Sequence, residues 1–264
     1  MEISLELVPR SPSSLRKDAI LCASRPVIGG VNVPDLSRFS LRSWEACGIL
    51  ADAFSGAGGA EGPALCPHLR ARDFSLEEPF PLGDFFRSRG IRRALVIAGD
   101  FPGGEGGEAV PPGERGERSP TVSFIKKLKA ELPELDLYAA FDPYRTNIRY
   151  ELDYLAAKEE AGASGFMSQP FFDLRLLEIY AEYLEGKRVF WGVAPVLTAG
   201  NRRYWELRNR AVFPRSFRPD LFWNITFARQ VLDFCKQGGF NLYLMPIRMD
   251  LSAYLSGIWP QADE

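Results

Sequence analysis

Histidine is nearly absent from this sequence: 264 residues contain one, His68. A multi-histidine zinc or iron site is thereby excluded, and a Ser-His-Asp or Cys-His system would have a single candidate base. Cysteine is scarce as well. Cys22, Cys47, Cys66 and Cys235 lie far apart with no C-x-x-C spacing, so they read as reduced thiols of a cytoplasmic protein. Cys66 and His68 form a C-x-H pair without a second ligand pair, and no metal is expected. Long apolar runs are missing too. Nothing approaches the ~18 residues of a membrane span, and "MEISLELVPRSP" lacks the apolar h-region of a signal peptide. Charge of one sign is not in excess: the net charge is −2, which leaves no global basic field to attract nucleic acid.

What is present is apolar and periodic. Hydrophobic residues make up 46% of the chain, enough for one large domain spanning residues 1–264. Short apolar runs alternate with longer amphipathic ones, the pattern of a parallel sheet crossed by helices. Eight candidate strands follow, at 3–8, 27–33, 64–71, 94–99, 135–141, 164–169, 188–195 and 240–246. Helical patterns cover 41–54, 123–132, 150–162, 174–186 and 221–239, the last stopped by Gly238-Gly239. No G-x-G-x-x-G follows the first strand, which disfavours a doubly wound open sheet. The expected fold is a (β/α)8 TIM barrel.

In such barrels chemistry gathers at the C-terminal ends of the strands. Gln169, in "SGFMSQPFFD", is the last residue expected in strand six before Pro170 ends the ladder. Its amide either meets a ligand at the mouth or ties down the turn. Glu6 sits among Leu5, Leu7 and Val8 in strand one, on the face of Ser4. A carboxyl there would be desolvated and suited to proton donation, unless it is held in an internal salt bridge. Asp100, in "IAGDFP", is either a functional carboxylate or a turn residue, with Gly99 allowing a tight turn or a close approach. The Gly/Pro/Glu-rich stretch 101–120 reads as a mobile lid or as an insertion without a role, and it does not match a P-loop. Residues 201–220 interleave six arginines with Tyr204, Trp205, Phe213 and Phe217. They suit single-stranded RNA, an anionic ligand tail, or an Arg-rich helix paired with Glu206 and Asp220.

Taken in order, these strand ends resemble the catalytic barrel of the methylenetetrahydrofolate reductase family. "SLELVPR" (Ser4 to Arg10) stands where that family has "SFEFFPPR", and "PHLRA" (Pro67 to Ala71) where it has "PHLTC". "IAGDFP" parallels "LRGDxP", and "WGVAP" (Trp191 to Pro195) parallels "PGIxP". The most specific match is "ELDYLAAKEEAGASGFMSQPFFD", Glu151 to Asp173, against "DLxxLxxKxxAGAxxxxTQxFFD".

The resemblance implies an oxidoreductase interconverting 5,10-methylenetetrahydrofolate and 5-methyltetrahydrofolate, with hydride passing from NADH or NADPH through FAD. Glu6 would be the general acid, Asp100 a carboxylate between flavin and folate, and Gln169 the amide that orients the pterin. Phe171, in the same motif, would be a second substrate contact. His68, Asp100, Glu151 and Lys158 would contact FAD. The expected partners are a folate, further copies of the chain in a homo-oligomer, and a redox partner subunit in one alternative. Departures fall on the flavin side: Ala98 replaces the family's arginine, Phe141 its tyrosine and Arg145 its histidine, and Asn32 in "VNVPD" is only a loose counterpart. They leave open an altered FAD pose, another flavin, or direct hydride transfer.

Overall fold

The computed structural model describes residues 1–56, 62–99 and 119–259. Eight parallel strands close into a barrel in sequence order. They are β1 (Ile3–Glu6), β2 (Gly30–Val33), β3 (Ala64–Arg70), β4 (Arg93–Ile97), β5 (Asp136–Phe141), β6 (Gly165–Pro170), β7 (Val189–Val193) and β8 (Asn241–Leu244). Every strand read from the sequence is there. Closure comes from β8 pairing with β1, with Tyr243 beside Ser4.

Alternation along each strand sorts residues between two cores. Ile3, Leu5, Val31, Leu69, Val96, Leu137, Phe166, Trp191 and Leu242 face outward, into the layer beneath the helices. Cys66, Leu95, Tyr138, Met167, Phe190 and Tyr243 fill the barrel itself. With a floor of aromatic and aliphatic side chains, the interior is solid, and only the ends of the strands are open to chemistry.

The helices are α1 (Pro12–Ala23), α2 (Ser43–Ser55), α3 (Gly83–Ser88), α4 (Pro120–Glu131), α5 (Ile148–Glu160), α6 (Leu174–Tyr183), α7 (Ala199–Asn209), α8 (Leu221–Gly238) and α9 (Leu251–Ile258). α1, α3 and α9 escape the sequence reading. "SPSS" before α1 looks like a turn, yet it is a capping box. Ser11 Oγ accepts from the Ser14 N–H and Ser14 Oγ from the Ser11 N–H, both at 3.2 Å. α4 begins at Pro120 with Ser119 as its cap, so the last two residues of the 101–120 stretch belong to a helix start. Residues 101–118 of the expected lid lie outside the described residues.

β6 departs from regularity at its end. Its register against β7 shifts between Met167 and Pro170, and Pro170 pairs with Gly192. The proline is thus the last residue of the strand and not the stop beyond it. The shift is pinned by the Gly192 N–H, which donates to Ser168 Oγ at 2.7 Å.

Candidate active site

Four strands bring four polar side chains together inside the mouth. Glu6 is level with Asn32 on β2, and Asn32 is level with Cys66 on β3, two residues before His68. Tyr243 comes from β8, next to β1 on the other side. The Tyr243 hydroxyl donates to Glu6 Oε2. His68 Nε2 lies 3.3 Å from Asn32 Oδ1 and 3.5 Å from the Tyr243 oxygen. Asn32 Nδ2 in turn donates to Ser4 Oγ. A consistent proton assignment places the hydrogen on Nε2 of a neutral His68, donating toward Asn32 and Tyr243. One carboxyl oxygen of Glu6 is then held and the other is left for a proton.

Burial sets the protonation states. The partly buried Glu6 carboxyl is pushed up to about 7, because desolvation outweighs the hydrogen bond from Tyr243, which lowers it. Desolvation lowers His68 to about 3, so its ring stays neutral at physiological pH. Its carbonyl is fixed from behind by Ser43 Oγ at 2.6 Å. Burial also raises the Tyr243 phenol well above its ordinary value, and it remains a donor. Among the described residues Glu6 forms no salt bridge, and its direct partner is the phenol.

The other expected site residues lie elsewhere. Gln169 is exposed near the end of β6, three strands round the rim from β1. Asp100 is outside the described residues; Gly99 before it takes a left-handed φ of 82°, which favours glycine. Phe171 is 0% exposed. Its ring packs edge-on against Phe141, Tyr180 and Trp191 in the outer layer, which corrects the expectation of a substrate contact: no ring surface remains for a ligand.

Glu151 and Lys158 stand on the inner face of α5, each 1% exposed. Lys158 Nζ donates to the Ala140 carbonyl at 2.6 Å and sits 3.8 Å from the centre of the Tyr154 ring. Tyr154 is itself fixed by a 2.6 Å hydrogen bond between its hydroxyl and Ser119 Oγ. Desolvation lowers Lys158 to about 7 despite the nearby charge of Glu151. Glu151 Oε1 accepts from the Asp142 N–H at 3.1 Å, while its Oε2 is buried without a hydrogen-bond partner.

The sequence reading missed Tyr243 and, in part, Asn32. The signal for Tyr243 was available: "FNLYLMP" alternates, and the parity that turns Leu242 and Leu244 outward turns Tyr243 inward. The 201–220 cluster resolves mostly as packing. Phe172, Trp205, Phe213 and Phe217 form one aromatic group, with Phe172 and Phe213 stacked 4.4 Å apart. Arg202 pairs with Glu206 at 2.8 Å, whereas Asp220 caps α8 through the Trp223 N–H at 2.7 Å. Among the described residues no three His, Cys, Asp or Glu side chains cluster, and no helix is long and apolar enough to cross a membrane.

A closed eight-stranded parallel barrel with polar groups gathered at the C-terminal ends of its strands defines a TIM-barrel protein. The chain belongs to the methylenetetrahydrofolate reductase family, whose model matches residues 62–199, just over half of its length. No curated protein matches it. Among solved structures it is similar to oxaloacetate acetylhydrolase in complex with 3,3-difluorooxalacetate, with 14% identity over 97% of this chain and 78% of that one at a TM-score of 0.59. It is also similar to 2,3-dimethylmalate lyase, with 10% identity over 97% and 77% at a TM-score of 0.58. N-acetylneuraminate lyase from Mycoplasma synoviae matches with 10% identity over 96% and 69% at a TM-score of 0.55. At such identities these likenesses show the shared barrel alone.

Proposed function

We propose that this protein is an oxidoreductase interconverting 5,10-methylenetetrahydrofolate and 5-methyltetrahydrofolate, with Glu6 as its general acid. The observation that carries the reading is the Glu6 carboxyl at the mouth, raised to about 7 and held through one oxygen by Tyr243. The substrate's five-membered ring must open before its carbon can be reduced. Glu6 gives its proton to N10, the C–N10 bond breaks with its electrons remaining on nitrogen, and an iminium forms at N5. A hydride then converts the methylene carbon to methyl. An acid near neutrality suits this first step, because a large share of it is protonated at working pH.

Supporting roles follow from position. Tyr243 fixes the carboxyl so that the free oxygen carries the proton. Neutral His68 and Asn32 hold the phenol and its surroundings without adding a charge. Gln169 offers a donor and an acceptor to the pterin from across the rim. Asp100 remains the candidate carboxylate for tuning the iminium. NADH or NADPH is the proposed source of reducing equivalents. FAD does not fit the described side chains carried over for it. The Glu151 Oε2 lacks a hydrogen-bond partner and would suit a ribose hydroxyl, yet Glu151 and Lys158 are each 1% exposed, and the Lys158 ammonium is closed in by Tyr154 and the Ala140 carbonyl.

The direct test is anaerobic incubation with 5,10-methylenetetrahydrofolate and NADH or NADPH, followed by chromatographic detection of 5-methyltetrahydrofolate. Its absence with either donor, with and without FAD, would overturn the reading. Tyr243→Phe refines the test. Loss of the phenol removes one hydrogen bond that positions the acid, and at about 1.4 kcal/mol it should lower kcat at neutral pH by about tenfold. Its hydrogen bond lowers the Glu6 pKa, so its removal should move the alkaline limb of the pH–rate profile upward. A limb that does not move would separate Tyr243 from the acid.

A further inference from the structure

Several regions of the molecule invite a second role. Tyr204, Leu207, Val212 and Phe222 expose an apolar strip around α7 and α8, but nothing in the structure shows what covers it. A cavity of about 320 Å³ between Phe86, Arg92 and Leu135 sits at the opposite end of the barrel from the polar mouth and holds no buried unpaired polar group. The region beside β5 carries an argument further.

A flavin dinucleotide needs reachable groups for its pyrophosphate and ribityl chain, and four positions toward which the family resemblance pointed have other duties here. Lys158 is spent as a strut. Its ammonium is tied to the Ala140 carbonyl, and the Tyr154 ring lies over it at 3.8 Å. Tyr154 cannot swing away freely, because its hydroxyl is bound to Ser119 at the start of α4. Phe141 is 0% exposed and turned outward against Tyr180 and Trp191, so the end of β5 presents Ala140 inward and no phenol. Arg145 is engaged with Asp142 at 3.6 Å. Ala98 brings no cation to the end of β4. In contrast, the acid side of the mouth is complete: Glu6, Tyr243, His68 and Asn32 form one connected set.

We infer that hydride reaches the folate directly from a reduced nicotinamide dinucleotide bound at the mouth, with no flavin between them. The inference rests on the folate reaction proposed above. In the transfer the C4–H bond of the dihydronicotinamide breaks, and its electron pair forms the new C–H bond on the iminium carbon. The nicotinamide leaves as its oxidised, aromatic cation. The proton that opened the ring came from Glu6 and is replaced from solvent. One nicotinamide and one proton are consumed for each methyl group formed. Both substrates must then occupy the mouth together, which requires a ternary complex.

The experiment uses the full chain, stripped of any flavin and checked for the absence of flavin absorbance, with donors deuterated separately on each C4 face. The expected result is turnover that added FAD does not accelerate and intersecting lines in two-substrate kinetics. One of the two deuterated donors should leave its label fully in the methyl group. Three results would overturn the inference while preserving the folate reaction: turnover only after FAD is added, parallel lines, or label lost to water through an exchangeable flavin N–H. Failure to form methyl product under any of these conditions would remove the folate reaction and the inference with it.

Discussion

Glu6→Gln is expected to lower turnover of 5,10-methylenetetrahydrofolate by about 10²–10⁴-fold, the range for removing a positioned general acid, while leaving the barrel folded. Glutamine keeps the size of the side chain and still accepts a hydrogen bond from Tyr243, but it has no proton to release. Retained turnover would end the assignment of Glu6. The same variant has a thermodynamic signature. The carboxyl titrates near 4.5 when unfolded and about 7 when folded, so the folded state holds the proton more tightly. The associated stability is fully present below the unfolded value and is lost as pH rises through the folded one. At about 1.4 kcal/mol per pKa unit, charged Glu6 costs the fold on the order of 3 kcal/mol at alkaline pH. Tm curves of the two proteins should therefore run together below about pH 4.5, diverge between there and about pH 7, and stay apart above it, with the variant more stable. Curves that stay parallel from acid to alkaline pH would show that the carboxyl is not desolvated.

Gly192→Ala is expected to damage both the fold and the folate site. A Cβ at this position would lie 2.6 Å from Met245 Cε, 2.6 Å from the Ser168 carbonyl oxygen and 3.0 Å from that of Gln169. The methionine end can move aside. The two carbonyls cannot, since they form the register shift that ends β6. Overpacking of this kind costs about 1–3 kcal/mol, and each kcal/mol lowers Tm by roughly 2–4 °C in a chain of this size. Because the displaced backbone carries Gln169, KM for the folate should rise as well. The alkaline limb belongs to Glu6, on the other side of the mouth, and should stay in place. A variant with unchanged Tm and unchanged KM would show that β6 absorbs the methyl group and that Gly192 does not position Gln169.

Much of this was legible locally. Eight short apolar runs alternating with longer amphipathic ones announce a barrel, because a strand buried on both faces and a helix buried on one leave different periods in each segment. Glu6 stood out because a carboxyl between Leu5 and Leu7 has no cheap place to go. The missed helices have local explanations as well: the serines before α1 serve turns and caps equally, and α3 and α9 are too short for a period to declare itself. Phe171 misled because it follows Gln169 so closely. The register shift at the end of β6 and the 0% exposure of the ring put it in the outer layer, which no motif displays.

By itself, then, the sequence determined the barrel and the family and singled out Glu6 as the candidate acid, because each rests on short-range pattern or on an ordered series of motifs. Only the tertiary structure decided what those residues meet. Tyr243 reaches Glu6 across 237 positions of sequence because closure sets β8 against β1. Lys158, which looks like a phosphate ligand in its motif, became a buried strut when α5 packed under the end of β5 and Tyr154 covered its ammonium. Burial and partnership across strands are properties of the closed sheet. They set whether a charge can exist, and with it whether a lysine binds a cofactor or a carboxyl holds its proton at neutral pH.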